Sequence, residues 1–165
     1  MNDIQALAML AETVPGASCL ERRTQIAWFE QMLKQIVEGL GLPQTELPLR
    51  HTFTTGAYVR EITLPAGQII VGKLHRHAHL NFISRGSVTV VTEHGGVERL
   101  TGPCTIISPA GTKRVVYTHE ETIWTTVHVT EETDLIKIEA ETIAPSYTAL
   151  GLEEPQSGGV LCHGQ

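Results

Sequence analysis

The run Gly72–Asn81 sets His75, His77 and His79 at alternate positions. Imidazole is the commonest metal-binding side chain and titrates near neutrality, so such a run is either a metal face or a polar, pH-sensitive lining. Read as one strand over His75–Ser84, residues at i, i+2 and i+4 share a face, and all three rings point the same way. Adjacent members lie about 7 Å apart along a strand, whereas each ligand nitrogen must stand about 2 Å from a zinc ion. Two neighbours can converge; a third ligand has to come from another strand. His128 is the best placed, with His119 in the preceding turn second. A set of His75, His77 and His128 suits zinc, iron or nickel. The preferred reading is the plainer one, neutral histidines hydrogen-bonded inside a polar mouth.

Two arginines accompany the histidines. Arg76 and Arg114 together can clamp a carboxylate or phosphate, since guanidinium matches such groups bidentately. Pairing of Arg114 with Glu120 or Glu121 is the competing arrangement. The remaining reactive types are less informative. His94 sits in the turn His94-Gly95-Gly96 and is expected in solvent, while His51 and His163 show no partner. Trp28 and Trp124 read as packing residues, and Cys104 as a buried small apolar side chain. No Ser/His/Asp or Cys/His order marks a nucleophile, and the glycines punctuate strands without forming a phosphate loop.

Composition narrows the classes. The chain has 165 residues and a net charge of −6 with histidine neutral. Without a Lys/Arg cluster to neutralise phosphates, general nucleic-acid binding is excluded. No apolar run reaches the length of a membrane span, and Met1-Asn2-Asp3 lacks the basic flank of a signal peptide. Cys19, Cys104 and Cys162 are odd in number and far apart, which fits reduced thiols in the cytoplasm.

The elements that must position these groups fall into two kinds. Ile4, Leu7 and Leu10 predict a short helix over Asp3–Glu12. Ser18 stands three residues before Glu21, a capping box, and Ile26, Phe29, Leu33, Ile36, Val37 and Leu40 then recur at helical steps. This predicts a helix over Cys19–Leu40, ended by Gly39, Gly41 and Pro43, whose apolar stripe (Phe29, Leu33 and Ile36) offers an interface. From about Leu47 the rhythm becomes short β-rich runs separated by turn residues. Strands are predicted at His51–Thr54, Tyr58–Leu64, Gln68–Lys73, His75–Ser84, Ser87–Thr92, Val97–Leu100, Cys104–Ser108, Lys113–Thr118 and Ile123–Thr130. So many short strands indicate a sandwich or small barrel. Residues 133–143 fit a helix or a strand; a helix capped by Thr133, with Asp134 in its first turn, is preferred. The tail after Leu152 has linker composition.

Within the β region, His75-x-His77 with Gly86, and Gly102 with Pro109-Ala110-Gly111, resemble the two motifs of the cupin superfamily. The likeness covers roughly residues 64–130 and implies a jelly-roll barrel with metal ligands on its inner strands. The ligand positions depart from that pattern. Where the family carries glutamate, counting back seven from Gly86 gives His79, and counting four on from His77 gives Asn81. The histidine position of the second motif is Arg114, which offers only donors and cannot bind a metal. Metal binding therefore does not carry over with the fold, and Arg114, Asn81 and His79 stand as candidate contacts of a polar cavity. A narrower likeness rests on Gly72-Lys73-x-His75-Arg76, Ile83-Ser84-x-Gly86, Pro109-Ala110-Gly111-Thr112-Lys113-Arg114 and Ile143-Ala144-Pro145-Ser146-Tyr147. These resemble short cupin-like proteins encoded among structural genes of tailed bacteriophages, which implies an accessory or assembly protein of a virion.

The expected architecture is mainly β: a helical arm over 1–44, a cupin-like jelly-roll barrel over 45–131, and a C-terminal extension over 132–165. The leading functional expectation is a binding or assembly protein, made in the cytoplasm and a homo-oligomer, with other virion proteins as partners if the narrower resemblance holds. It has no cofactor, no nucleic acid and no membrane. The alternatives are a metal-dependent enzyme of dioxygenase or isomerase type using a divalent zinc, iron or nickel ion, and a small-molecule-binding or sequestering protein in which Arg114 holds an anion. Three structural expectations follow. The three histidines project into the barrel, Arg114 depresses their pKa values, and the striped helix and tail lie against another chain.

Overall fold

The structure, a computed structural model, describes residues 16–41 and 46–156. The helix expected over Asp3–Glu12 and the end of the tail lie outside these residues.

Helix α1 (Cys19–Gly39) starts where the capping box requires: Glu21 N donates to Ser18 Oγ at 3.2 Å, and Ser18 N to the Glu21 carboxylate at 2.6 Å. Nine strands follow: β1 (Leu49–Thr54), β2 (Ala57–Leu64), β3 (Ile69–Val71), β4 (His79–Arg85), β5 (Ser87–Thr92), β6 (Gly96–Thr101), β7 (Cys104–Ser108), β8 (Arg114–Thr118) and β9 (Thr122–Val129). Helix α2 (Leu135–Thr142) and a 3₁₀ turn (Thr148–Leu150) complete the chain. Pairing is antiparallel throughout, and the pairs β2–β9, β3–β8, β4–β7 and β5–β6 nest inside one another. A ribbon of nested hairpins wrapped into two sheets is a jelly roll, here with orders β1-β2-β9-β4-β7 and β3-β8-β5-β6. The mainly β, jelly-roll fold expected from the sequence is the fold observed. Among the described residues, no helix is long and apolar enough to cross a membrane.

Two apolar layers hold this body together. Between the sheets, Ile83, Val88, Val90, Val116 and Trp124 pack as one cluster. On the outer face of the four-stranded sheet, Ile26 and Phe29 of α1 pack on Val91 and Val115, with Leu33, Val71 and Tyr117 around them. This explains why β5 is buried on both faces, against the one-sided alternation usual for antiparallel strands. It also corrects the expected interface. Phe29 is only 1% exposed inside its own chain and Leu33 is partly buried beside it, so this part of the stripe is taken up by the barrel; Ile36, at 41%, and Leu40, at 68%, stay exposed. Lys113 ties the helix further through an ion pair with Glu30. The start of the tail also lies on this chain: Glu153 O accepts from Arg23 Nη1, and Gln156 N donates to Thr24 Oγ1 at 3.1 Å.

Local chemistry sets the other corrections. Asp134, and not Thr133, caps α2, its carboxylate accepting from Ile136 N at 2.9 Å and Lys137 N at 3.2 Å. The strand expected over His75–Ser84 begins only at His79. After the rung Gly72 N to Arg114 O, at 2.8 Å, the chain leaves the sheet and pairs with the C-terminal extension. Leu74 O accepts from Ala144 N and Arg76 N donates to Thr142 O, both at 2.8 Å, while Leu74 packs with Ala144 and Tyr147. At the hinge into β5, Gly86 has φ +100°, and a Cβ there would stand 2.3 Å from Thr122 Oγ1 and 2.6 Å from Glu121 O. Only glycine fits that approach.

Candidate functional site: the barrel cavity

Strand alternation places the inward side chains of β9 (Trp124, Thr126 and His128) on one face. Register with β2 and β4 sorts them into rungs: Tyr58 opposite His128, Arg60 and Asn81 opposite Thr126, Ile62 and Ile83 opposite Trp124. Arg114 and Val116 of β8 and Ile70 of β3 enter from the other sheet, and Leu135, Ile138 and Thr142 of α2 close over the opening. They enclose a cavity of about 470 Å³. That size suits a small organic ligand.

The middle rung is a satisfied polar network. Asn81, 1% exposed, accepts at Oδ1 from Trp124 Nε1 and Thr126 Oγ1, both at 2.9 Å, and donates through Nδ2 to Ser108 Oγ at 2.7 Å. Arg114 Nη2 donates to the same Ser108 oxygen, and its guanidinium lies 5.5 Å from the centre of the Trp124 ring. Burial pushes Arg114 down to about 10 from its ordinary 12.5, so it stays protonated at neutral pH. Among the described residues, no carboxylate lies within salt-bridge distance of either Arg114 or Arg60; the cavity-lining Glu139 is held by Lys73 at 2.5 Å.

At the mouth three imidazoles pack together: His75 and His79 at 4.1 Å between ring centres, and His128 at 5.3 Å from each. Tyr58 stacks on His128 at 6.0 Å, and His51 on Tyr58 at 5.9 Å, with His51 Nδ1 2.7 Å from the Tyr58 hydroxyl. Desolvation, reinforced by the other histidines and the arginines, lowers His75 to about 3 and His128 to about 4. His79 is lowered as well, by burial first and Arg114 after its raising contact with the His77 carbonyl. His75 and His128 are therefore neutral at pH 7.

Not every expected site residue is here. Arg114, Asn81 and His79 line the cavity, and so do His75 and His128. His77 does not: it is exposed on the bend before β4, and only its backbone oxygen serves, accepting from His79 Nδ1 at 3.1 Å. The expected set of His75, His77 and His128 is thus replaced by His75, His79 and His128, because residues 72–78 form a bend and the alternation of a strand does not apply. Arg76 turns to the Ile143 carbonyl at 3.0 Å and takes no part in a clamp; Glu121 pairs with Arg85. His119 lies elsewhere, 2.7 Å from Thr89 Oγ1. Arg60 went unnoticed in the sequence. Its signal was a charged residue in phase with the apolar Tyr58, Ile62 and Leu64 on β2.

Whether the trio fits a metal can be tested on its own geometry. The donors are chemically suitable: neutral imidazoles, with His75 Nδ1 buried and unpartnered, and His79 oriented through its far nitrogen. Their arrangement is not. His75 and His128 stack with planes 13° apart, and the three do not bring ligand nitrogens within 4.8 Å of one another. Stacked rings aim their nitrogens side by side, whereas a tetrahedral ion requires donors about 3.5 Å apart that converge on one point. As arranged, the residues do not fit the ion, and no step is derived through one.

No protein-family model matches this chain, and no curated protein does. Solved structures do show likeness. A conserved protein of unknown function from Streptococcus pyogenes, SPY1581, is 20% identical, over 55% of this chain and 80% of its own, with TM-score 0.44. The Schizosaccharomyces pombe Cnp3 cupin domain is 18% identical over 60% and 71%, with TM-score 0.44. KdgF from Halomonas sp. is 14% identical over 57% and 90%, with TM-score 0.47.

Proposed function

We propose that this protein binds a small anionic organic molecule in the barrel cavity, with Arg114 and Arg60 as its charge partners. One observation carries the reading: Arg114 lies within the fold as a cation that has lost part of its hydration and has no carboxylate partner among the described residues. Guanidinium is the usual side chain for recognising carboxylate and phosphate, and an anion would supply the missing charge. Trp124, His75 and His79 line the cavity beside the two arginines. The test is calorimetric titration with a panel of small carboxylates and organic phosphates, on the wild type and on Arg114→Gln. Saturable binding that weakens with salt and is lost in the variant supports the reading. Equal binding by both proteins, or none from the whole panel, sinks it.

A metal-dependent enzyme is the second reading, favoured by the unpartnered His75 Nδ1 and the orienting bond on His79. It requires the rings to unstack; metal bound stoichiometrically and lost on His128→Ala would establish the metal site this reading needs. The virion assembly role rests on the sequence resemblance alone. With Phe29 buried inside the chain and Leu33 partly so, the apolar surface that α1 leaves for an interface is Trp28, Ile36 and Leu40.

A further inference from the structure

On the outer face of the four-stranded sheet, under the start of α1, Glu93 follows β5 in the same phase as Thr89 and Val91. Its side chain is wholly inaccessible. One oxygen, Oε2, accepts from the Tyr147 hydroxyl at 3.0 Å. The other, Oε1, is buried with no hydrogen-bond partner; Arg23 Nη2 stands at 3.7 Å and His94 Nε2 at 3.6 Å. Cys19, the first residue of α1, places Sγ 3.6 Å from His94 Nδ1. A sulfur, an imidazole nitrogen and a carboxylate oxygen from Cys19, His94 and Glu93 all lie within 4.8 Å of one another, the only such group of three among the described residues.

We propose that Cys19, Glu93 and His94 form a binding site for a divalent transition metal, zinc by the chemistry of its donors. Thiolate, imidazole and carboxylate together match zinc, whereas magnesium and calcium take oxygen ligands almost exclusively. Donors around a tetrahedral zinc stand about 3.5 Å apart, close to the 3.6 Å already separating Sγ and Nδ1. The carboxylate is held from behind, as ligating groups usually are: Tyr147 fixes Oε2 and leaves Oε1 without a hydrogen bond, 3.6 Å from His94 Nε2. Arg23, anchored over the Tyr147 ring at 4.2 Å and by the Glu153 carbonyl, stands 3.9 Å from Cys19 Sγ and 3.7 Å from Glu93 Oε1; it offsets one of the two negative charges that thiolate and carboxylate bring, and its own charge opposes the ion's. Binding transfers the Cys19 thiol proton to solvent. The His94 side chain is 45% exposed, so the ion enters from that side and keeps a fourth, solvent position. A metal here would clip the start of α1, the β5–β6 turn and, through Tyr147, the C-terminal extension. This inference is independent of the cavity.

The experiment is a cobalt(II) titration of tag-free, chelator-stripped protein carrying Cys104→Ser and Cys162→Ser, so that Cys19 is the remaining thiol. The expected result is one equivalent of cobalt with thiolate-to-metal charge-transfer absorption in the near ultraviolet, displaced by zinc. Cys19→Ser should abolish that band. His94→Ala, at an exposed position that does not threaten folding, should weaken binding, and Tyr147→Phe should weaken it by about 10- to 100-fold. Imidazoles of the cavity give no thiolate band, so the two sites are separable. Absence of the band at excess cobalt, or a band surviving Cys19→Ser, overturns the proposal.

Discussion

Replacing Arg114 by Met keeps the unbranched stem while deleting the charge, and its effect on stability can be worked from the structure. The fall from 12.5 to about 10 is caused by burial; at 1.36 kcal/mol per pKa unit it corresponds to about 3 kcal/mol against the protonated form. A cation whose folded pKa is depressed destabilises the fold at every pH below that value, and the penalty disappears only above the unfolded pKa. At pH 7 the cost is therefore fully present. The variant recovers it but loses the bond to Ser108 Oγ, about 1 kcal/mol, and part of the Trp124 contact. Since the guanidinium is partly exposed, the net gain is about 1–2 kcal/mol, a rise in melting temperature of about 2–8 °C for a chain this size. The assay is thermal unfolding at pH 7 with and without the best anion from the binding panel. Wild type should gain stability from the anion, and Arg114→Met should start higher and gain none. A variant less stable than wild type that still responds to the anion would refute the reasoning, showing that Arg114 is structural and already satisfied.

Two further outcomes are expected. Gly86→Ala should destabilise by roughly 3 kcal/mol or more, read as a lowered denaturation midpoint, because φ +100° and the backbone of residues 121–122 leave no place for a Cβ. For His75 and His128 the folded pKa values lie at about 3 and 4, below the ordinary 6.5, so the unfolded chain takes protons first as pH falls. Stability is complete above about pH 6.5 and declines from there toward pH 4, by about 1.4 kcal/mol per pH unit for each ring. Urea midpoints across that range check it, and His128→Leu should shallow the slope; a flat profile in the wild type would contradict the burial argument.

Most strands were legible because antiparallel strands with one wet face alternate, and because Gly and Pro mark the turns between them. The helix Cys19–Gly39 was legible for a similar reason, its capping box and stripe both being local signals. What the stripe would cover was not. Phe29 and Leu33 carry the same pattern whether they pack on a sheet of this chain or on a second subunit, and only the doubly buried β5 distinguishes the two. The histidine run misled for a related reason. His75-x-His77-x-His79 has the period of a strand, yet Leu74 and Arg76 make backbone hydrogen bonds with Ala144 and Thr142, some 65 or more positions away, and no local signal reports a partner that distant. His128 was legible because a third ligand must come from a strand that faces the run. Arg60 and the surroundings of Glu93 became visible only once register and the covering helix were known.

Burial has opposite consequences for charge on the two kinds of basic group this cavity contains. It lowers both, but an imidazole starting at 6.5 becomes neutral at any ordinary pH, whereas a guanidinium starting at 12.5 and reaching about 10 does not. The mouth therefore carries neutral rings able to accept or donate hydrogen bonds, and the interior carries a permanent positive charge from Arg114, with Arg60 one rung from the mouth. Because His75 and His128 contribute no charge of their own, anion affinity should change little between pH 6 and 9. A protein whose histidines supplied the attraction would instead lose affinity steeply across the same range, so a pH series of the calorimetric titration separates the two arrangements without any substitution.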